Sequence, residues 1–230
     1  MSNVAQLVRE RFGELTEIQK LAIPRVLDGE NVLILAPTGY GKTESALLPI
    51  LEKIKERKNA ASESGNKEGS VGIEALYITP LRALSRDLRT RFEWWCERLE
   101  ISHDMRTGDT TLHERAKHRK DPPKILLTTV ESLQALMLGR VMRKHLSTVR
   151  FVIVDEIHDI LDNKRGAQLS LGLERLASIA SFQRIGISAT VANEAEAARL
   201  LFGDRPYAIC EAGKSRKMDI DIEKRSEGRM

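Results

Sequence analysis

Residues 31–43 read NVLILAPTGYGKT, and this stretch decides the fold. Its first part, Asn31–Ala36, is a short apolar run that predicts a buried strand. Gly39 and Gly41 follow closely, and a helix-forming stretch begins at Thr43. Because glycine adopts backbone conformations that other residues avoid, this spacing indicates a tight turn. The stretch therefore predicts the strand, turn and helix unit from which α/β folds are built.

The turn matches the phosphate-binding loop pattern, except that Ala36 stands at the first glycine position. In such a loop, backbone N–H groups converge on phosphate oxygens, and a Cβ at Gly39 or Gly41 would obstruct the turn. Lys42 is expected to reach the β- and γ-phosphates of ATP, and the Thr43 hydroxyl is expected to bind Mg²⁺. The predicted nucleotide-binding residues of this stretch are Pro37, Thr38, Gly39, Tyr40, Gly41, Lys42, Thr43 and Glu44. The alternative is a glycine turn that closes an ordinary strand and helix unit.

A second chemical signal is a pair of carboxylates at the end of an apolar strand. Phe151–Val154 is wholly apolar and runs into Asp155, Glu156, Ile157 and His158. Open α/β sheets bind ligands beyond the carboxyl ends of their strands. Asp155 is therefore a candidate Mg²⁺ ligand, and Glu156 is a candidate base for the attacking water. His158 is a candidate link from this site to a neighbouring element, whereas the alternative for the carboxylate pair is a solvated strand end.

The rest of the chain repeats the alternation of short apolar runs and helical stretches. The predicted strands are Asn31–Ala36, Glu74–Thr79, Lys124–Thr128, Phe151–Asp155, Arg184–Ser188 and Tyr207–Cys210. The predicted helices are Thr43–Lys58, Leu81–Leu99, Thr110–Lys120, Glu131–Leu138, Gly166–Ser178 and Asn193–Leu201. This order predicts a mostly parallel sheet with helices on both faces. We expect one domain over residues 1–212, a flexible surface connection at about 59–72, and the start of a linker at 213–230.

Composition and charge place the chain among ordinary globular proteins. Hydrophobic residues make up 41% and charged residues 30%, which excludes a globally disordered chain. The net charge of +4 agrees with a polyanionic partner, although many proteins without one are equally basic. Cys96 and Cys210 lie far apart without metal-ligand spacing, and no apolar run reaches the ~18 residues that span a bilayer. We therefore expect a cytoplasmic protein without membrane contact.

The loop at 36–43 and the Asp-Glu-Ile-His sequence at 155–158 together resemble superfamily 2 helicases of the DExH type. The resemblance implies a RecA-like P-loop NTPase domain that uses ATP and Mg²⁺, with Lys42 and the residues of 155–158 at its chemical centre. Leu15-Thr16-Glu17-Ile18-Gln19 is similar to the Q motif of that family. This implies that Gln19 reads the adenine edge and that Phe12 stacks on the base. The alternative is that Gln19 occupies an exposed helix position.

Further motifs of that family lie in order along the chain and imply contacts with a nucleic-acid backbone. Thr79–Leu84 (TPLRAL) resembles motif Ia, Thr107–Asp109 (TGD) resembles the next loop, and Thr128–Leu133 (TTVESL) resembles the one after it. The residues that the resemblance assigns to single-stranded nucleic acid are Pro80, Leu81, Arg82, Gly108, Asp109, Thr128, Thr129 and Glu131. An ordinary strand-to-helix turn is the alternative for the first of these motifs, and helix capping is the alternative for Thr129 and Glu131.

Ser188, Ala189 and Thr190 match motif III, which in this family couples ATP hydrolysis to strand movement. The alternative is that the two hydroxyls cap a turn.

Within the superfamily, the sequences of residues 155–158, 164–169, 173–176 and 184–190 resemble those of the Lhr (large helicase-related) group. Members of that group are prokaryotic ATP-dependent helicases that translocate on DNA with 3′-to-5′ polarity. The resemblance implies a single-stranded or partly duplex nucleic-acid partner, DNA rather than RNA. It also implies a second RecA-like lobe, whose arginine fingers complete the ATP site. The alternatives are a DEAD/DExH RNA helicase lobe, a small-molecule P-loop kinase and a non-catalytic P-loop interaction module.

Overall fold

A computed structural model describes residues 3–63, 72–80, 86–161, 164–189 and 194–213, and within them it contains one seven-stranded sheet. The strands are β1 (Val32–Leu35), β2 (Ala75–Ile78), β3 (His103–Arg106), β4 (Ile125–Thr128), β5 (Phe151–Val154), β6 (Gln183–Ser188) and β7 (Ala208–Glu211). Their order across the sheet is β3-β4-β2-β5-β6-β1-β7, and each described pair is parallel. The predicted parallel sheet is confirmed.

Ten helices accompany these strands in the described residues. They are α1 (Asn3–Phe12), α2 (Glu17–Leu27), α3 (Lys42–Glu63), α4 (Arg86–Leu99), α5 (Leu112–Lys120), α6 (Val130–Leu136), α7 (Arg140–Leu146), α8 (His158–Leu161), α9 (Lys164–Ala177) and α10 (Glu194–Phe202). None of these described helices combines the length and the apolar character that crossing a bilayer requires.

The sheet separates two apolar cores, which confirms helices on both faces. In β1, Val32 and Ile34 face the core that α1, α2, α3 and α4 cover, whereas Leu33 and Leu35 face the core covered by α6 to α10. All four side chains are buried, as the strand of a doubly covered parallel sheet requires. The same arrangement brings the carboxyl ends of β1, β6, β5 and β2 together at one edge.

Helices α1, α2, α7 and α8 were not among the predicted helices, and two further features differ from the sequence prediction. Strand β3 was not predicted because its residues, HDMR, form no apolar run; it is a half-buried edge strand that pairs through its backbone with β4. The surface connection expected at 59–72 was placed too early, since α3 continues to Glu63. Ala60 and Ala61 are strong helix formers and extend the helix past the predicted end at Lys58. Residues 64–71 lie outside the described chain.

Candidate active site

The loop between β1 and α3 has the backbone that its glycines predicted. Gly39 and Gly41 have φ angles of 87° and 83°, which lie in the left-handed region that side chains disfavour. Gly41 has a further constraint, because a Cβ there would lie 2.4 Å from Gln19 Nε2. At Gly39 no atom would come within 4 Å of an added Cβ. The backbone angle therefore disfavours a side chain at both glycines, and at Gly41 the Gln19 side chain disfavours it as well.

Lys42 begins α3 and folds back over the loop. Its ammonium donates hydrogen bonds to the carbonyl oxygens of Ala36 at 2.5 Å and Pro37 at 2.9 Å. Burial lowers the pKa of Lys42, and the nearby carboxylates of Glu156 and Asp155 oppose this effect. The cation thus lies near the acidic end of β5 and satisfies its donors with backbone oxygens.

Helix α2 is fastened to the loop through its first turn. Thr16 caps the helix, and the Thr16 N–H donates to Gln19 Oε1 at 3.0 Å. Gln19 Nε2 donates to the carbonyl of Gly41 at 3.3 Å, and the Thr16 hydroxyl donates to the carbonyl of Tyr40 at 2.9 Å. Gln19 is only 2% exposed, so the alternative of an exposed helix position is wrong. Its amide braces the loop as well as the cap.

The acidic end of β5 holds a buried carboxylate. Asp155 accepts the O–H of Tyr77 through Oδ2 and the N–H of Glu156 through Oδ1, the latter at 2.9 Å. Burial raises the pKa of Asp155 to about 6, although the hydrogen bond from Tyr77 favours its charged form. Glu156, with φ of 50°, turns the chain sharply out of the strand. The solvated strand end considered for this pair does not describe Asp155, which is 7% exposed.

His158 connects this acidic end with the next strand. Its Nδ1 lies 3.4 Å from Glu156 Oε2 and 3.1 Å from the hydroxyl of Ser188 at the end of β6. The neighbouring element that His158 contacts is therefore the end of β6, where the 188–190 motif begins. Ala189 follows directly, and Thr190 lies outside the described residues.

The phosphate loop, the first turn of α2 and the acidic end of β5 line one pocket of about 700 Å³, whereas the predicted Pro37, Tyr40 and His158 are not in its wall. The predicted residues in its wall are Phe12, Gln19, Thr38, Gly39, Gly41, Lys42, Thr43, Glu44, Asp155 and Glu156. The residues that sequence reasoning missed are Arg11, Glu14, Thr16, Asp87, Leu88 and Arg91.

Two missed arginines show how the pocket wall is held. Arg91 approaches Glu44 at 3.5 Å and donates to Asp87 at 3.0 Å, and Arg11 stacks 4.1 Å from the ring centre of Trp94. Arg91 and Arg11 belong to ordinary helical charge patterns, so no motif could have indicated them.

Two of the three predicted nucleic-acid loops, 107–109 and 128–133, meet at a second, smaller pocket of about 390 Å³. Its wall contains Arg106, Thr107, Gly108, Asp109, Arg115, Thr129, Glu131, Ser132, Ala135 and Arg165. Arg115 fastens the first loop by donating to the carbonyls of Gly108 and Thr110 at 2.9 and 2.8 Å. Arg106 also carries a buried Nη1 atom without a hydrogen-bond partner. The sequence offered Arg115, within the basic stretch 115–120, either as a nucleic-acid contact or as part of a solvated helix face, whereas Arg106 was missed; both arginines give the pocket a positive wall.

Several predicted nucleic-acid residues also have structural roles. Thr129 caps α6 by accepting the N–H of Ser132 at 3.3 Å, as the capping alternative proposed. Thr128 donates its hydroxyl to the carbonyl of Arg106 at 2.8 Å, and Glu131 pairs with Arg165 at 2.8 Å. Pro80 is buried after β2, whereas the predicted Leu81 and Arg82 lie outside the described residues.

The segment after β7 returns to the phosphate loop. Strand β7 pairs with β1, and Gly213 follows it with φ of 92°. A Cβ at Gly213 would lie 2.9 Å from Pro37 Cδ and 3.7 Å from Tyr40 Cε1. The last described residue, Gly213, therefore lies against the phosphate loop.

Comparison with known proteins agrees with this geometry. Residues 16–198 match the model of the DEAD/DEAH box helicase family. The chain belongs to this family. As a DEAD/DEAH box helicase domain, it is also homologous to ATP-dependent helicases of the Lhr group.

Three relatives set the scale of this homology. The ATP-dependent helicase Lhr-Core of Methanothermobacter thermautotrophicus is 41% identical over 95% of this DEAD/DEAH box helicase chain, which spans 27% of that relative. The Lhr helicase/probable uracil glycosylase of Mycolicibacterium smegmatis is 37% identical over 92% of the chain, and the chain spans 14% of that relative. The structure of Mycobacterium smegmatis helicase Lhr bound to ssDNA and AMP-PNP superposes with a TM-score of 0.78 at 36% identity, over 92% of this chain and 28% of that one.

Proposed function

We propose that this chain is the N-terminal motor lobe of an ATP-dependent, Lhr-like helicase that binds ATP with Mg²⁺ and single-stranded DNA. The supporting observation is the shared pocket in which the loop carrying Lys42 and Thr43 faces Asp155 and Glu156. Residues 1–212 form the RecA-like domain in this proposal, and 213–230 begin a linker. The second RecA-like lobe belongs to the remainder of the longer protein, since the chain spans about a quarter of the Lhr-Core relative.

The phosphate groups of ATP take the place of the loop carbonyls as partners of Lys42. Its ammonium is already positioned at the loop, and a charged phosphate oxygen is a stronger acceptor than a neutral carbonyl. The free N–H groups at the start of α3 add their partial positive charge. Phe12 and Gln19 line the same pocket, and in this proposal they contact the adenine base.

Thr43 and Asp155 fit a magnesium ion that arrives with the nucleotide. Both supply oxygen, which Mg²⁺ prefers, and Mg²⁺ commonly takes only one or two protein ligands besides phosphates and water. The described residues accordingly contain no cluster of three or more side chains that would hold a metal by themselves. When bound, the ion neutralises charge that develops on the phosphates.

Glu156 is the proposed base for the attacking water. It lines the pocket beside Asp155, and a carboxylate in this position can accept a proton from a water held in the pocket. His158 lies between Glu156 and Ser188, and in this proposal the 188–190 segment passes the state of the ATP site to the moving strand.

The second pocket is proposed to hold the nucleic-acid backbone. Arg106, Arg115 and Arg165 surround the loop at 107–109 and the start of α6, and cations of this kind bind phosphate groups. Gly108, Asp109, Thr128, Thr129 and Glu131 form the remainder of the proposed contact, with Pro80, Leu81 and Arg82 on the segment after β2. DNA is proposed over RNA because the Lhr structure that resembles this chain is described as bound to ssDNA.

A nucleotide titration tests the ATP site. The Lys42→Ala variant is expected to bind a fluorescent ATP analogue with Mg²⁺ about 10- to 100-fold more weakly than the wild type, because a charge-assisted hydrogen bond contributes about 1.5–3 kcal/mol. Lys53→Ala removes a lysine from the same helix outside the pocket and serves as the matched control. Equal affinity of Lys42→Ala and Lys53→Ala would remove the basis of the proposal.

The polymer and the second lobe are tested on a longer chain that includes that lobe. Single-stranded DNA is expected to stimulate ATP hydrolysis by the longer chain and to do so more strongly than RNA of the same sequence. Stronger stimulation by RNA would favour an RNA helicase lobe. No stimulation by either polymer would favour a kinase or a non-catalytic module.

A further inference from the structure

Tyr77 places a buried phenol beside Asp155, one of the proposed magnesium ligands. The residue lies on β2, is 0% exposed, and packs its ring edge-on against Phe92 with ring centres 4.9 Å apart. Its hydroxyl therefore has no access to water and must find its partners inside the protein. A phenylalanine would fill the same apolar space, so packing alone does not require the hydroxyl.

The phenol contacts one of the two residues proposed to bind Mg²⁺. It donates its O–H to Asp155 Oδ2. Tyr77 lies on β2 and Asp155 follows β5, so this hydrogen bond joins two neighbouring strands. Tyr77 therefore fixes the position of the Asp155 carboxylate relative to the sheet.

The sheet register explains why the contact forms. Strands β2 and β5 are parallel neighbours, and Tyr77 is aligned with Ile153. Aligned residues of neighbouring strands point to the same face, and side chains on one face recur every second residue. Asp155 comes two residues after Ile153, so its carboxylate follows on the face to which the phenol points.

The hydrogen bonds leave Asp155 oriented but able to bind a metal. The Glu156 N–H engages Oδ1 and the Tyr77 O–H engages Oδ2, which fixes the plane of the carboxylate. Each carboxylate oxygen has two lone pairs, so each retains acceptor capacity. Outer-sphere hydrogen bonds of this kind orient metal ligands in proteins, and their loss typically weakens metal binding on the order of 10- to 100-fold.

We propose that Tyr77 is a positioning residue for the magnesium site, whose hydroxyl holds the Asp155 carboxylate in the orientation that Mg²⁺ requires. The inference rests on the proposed function, because it assumes that Asp155 binds the ion of an ATP–Mg complex. It adds a residue from outside the helicase motifs identified in the sequence.

The test compares nucleotide affinity with and without the metal. The chain is titrated with a fluorescent ATP analogue in Mg²⁺ and again in EDTA, and the ratio of the two Kd values measures how much Mg²⁺ tightens binding. Tyr77→Phe retains the ring against Phe92 and removes only the hydroxyl. We expect the ratio to fall on the order of 10- to 100-fold while the Kd in EDTA stays at the wild-type value.

Two control variants separate positioning from general loosening. Tyr207→Phe removes a hydroxyl from a ring that stacks on Phe202 away from the pocket, and it should leave the ratio unchanged. Phe92→Leu keeps the Tyr77 hydroxyl but removes its edge contact, so it should lower thermal stability and leave the ratio near the wild-type value. A second measurement follows nucleotide-dependent Mn²⁺ binding by electron paramagnetic resonance and should show the same loss only in Tyr77→Phe.

Each outcome decides a different claim. A wild-type ratio in Tyr77→Phe overturns the inference and leaves the proposed function standing. An equal weakening in EDTA and Mg²⁺, or a fall in Phe92→Leu as large as in Tyr77→Phe, also overturns it, because either result means a structural role. Absence of Mg²⁺-dependent tightening in the wild type overturns the magnesium site itself, and the inference with it.

Discussion

The two glycines of the phosphate loop are expected to differ in how much stability they contribute. Alanine at Gly39 or Gly41 must adopt a positive φ, which costs about 1–2 kcal/mol at either position. Only at Gly41 does the new Cβ also meet Gln19, at 2.4 Å from Nε2. Moving Gln19 away breaks its bonds to Gly41 and Thr16, and two such hydrogen bonds are worth about 1–3 kcal/mol. Gly41→Ala should therefore lower the free energy of unfolding by about 1–3 kcal/mol more than Gly39→Ala.

Urea unfolding of the nucleotide-free chain, followed by circular dichroism, measures this difference directly. The dependence of the unfolding free energy on urea concentration should be the same for both variants, so that their midpoints can be compared. A double-mutant cycle supplies the control, since Gln19→Ala removes the atoms that the Cβ of Gly41→Ala would meet. In the Gln19→Ala background the two glycine variants should be equally destabilising. Equal effects in the wild-type background, or a difference that persists without the Gln19 side chain, would refute the argument that Gln19 makes Gly41 special.

Three further predictions concern buried or paired charges. Asp155→Asn should raise the free energy of unfolding of the metal-free chain by about 1–3 kcal/mol at neutral pH, as measured by urea titration. Burial raises the pKa of Asp155 to about 6, so its charge is costly above that pH, and a less stable variant would contradict this. Glu174→Gln should lower the free energy of unfolding by about 1–3 kcal/mol, because it removes the negative charge that lies 2.9 Å from the buried Arg184 guanidinium. An unchanged melting temperature would contradict this prediction. The Asp104 carboxylate, whose pKa His118 lowers to about 2 from 3.8, stabilises the fold above pH ~4, and this contribution is lost as the pH falls toward ~2. Asp104→Asn should therefore flatten the acid unfolding curve in that window, and an unchanged curve would exclude this linkage.

The strands and the phosphate loop were predictable because their signals are local. Residues 31–43 combine an apolar run, two glycines and a helix start within one short stretch, and these parts are typical of a strand, a turn and a helix. Asp155 was predictable because a strand of apolar residues ends directly before it. Parallel strands then bring such ends to one edge regardless of the details of the connections.

The missed residues act through contacts between distant segments. Tyr77 looks like an ordinary apolar position of β2, and its contact with Asp155 exists only because β2 and β5 are neighbours in register. Arg11 and Arg91 enter the pocket from two different helices, whose packing no single stretch of sequence specifies. Strand β3 forms because the edge of β4 is available for backbone pairing, although its own side chains carry no apolar pattern.

The contact between Gly213 and the phosphate loop gives the site a mechanical connection to whatever follows in the chain. A force that moves residue 213 toward the loop presses on Pro37, because the gap between them cannot accommodate even one methyl group. Pro37 in turn supplies one of the two carbonyls that hold the ammonium of Lys42. Movement of the exit segment toward the loop is therefore transmitted through Pro37 to the group that would contact the phosphates, whereas a pull away from the loop acts first on Ala212, whose N–H donates to Leu35 of β1.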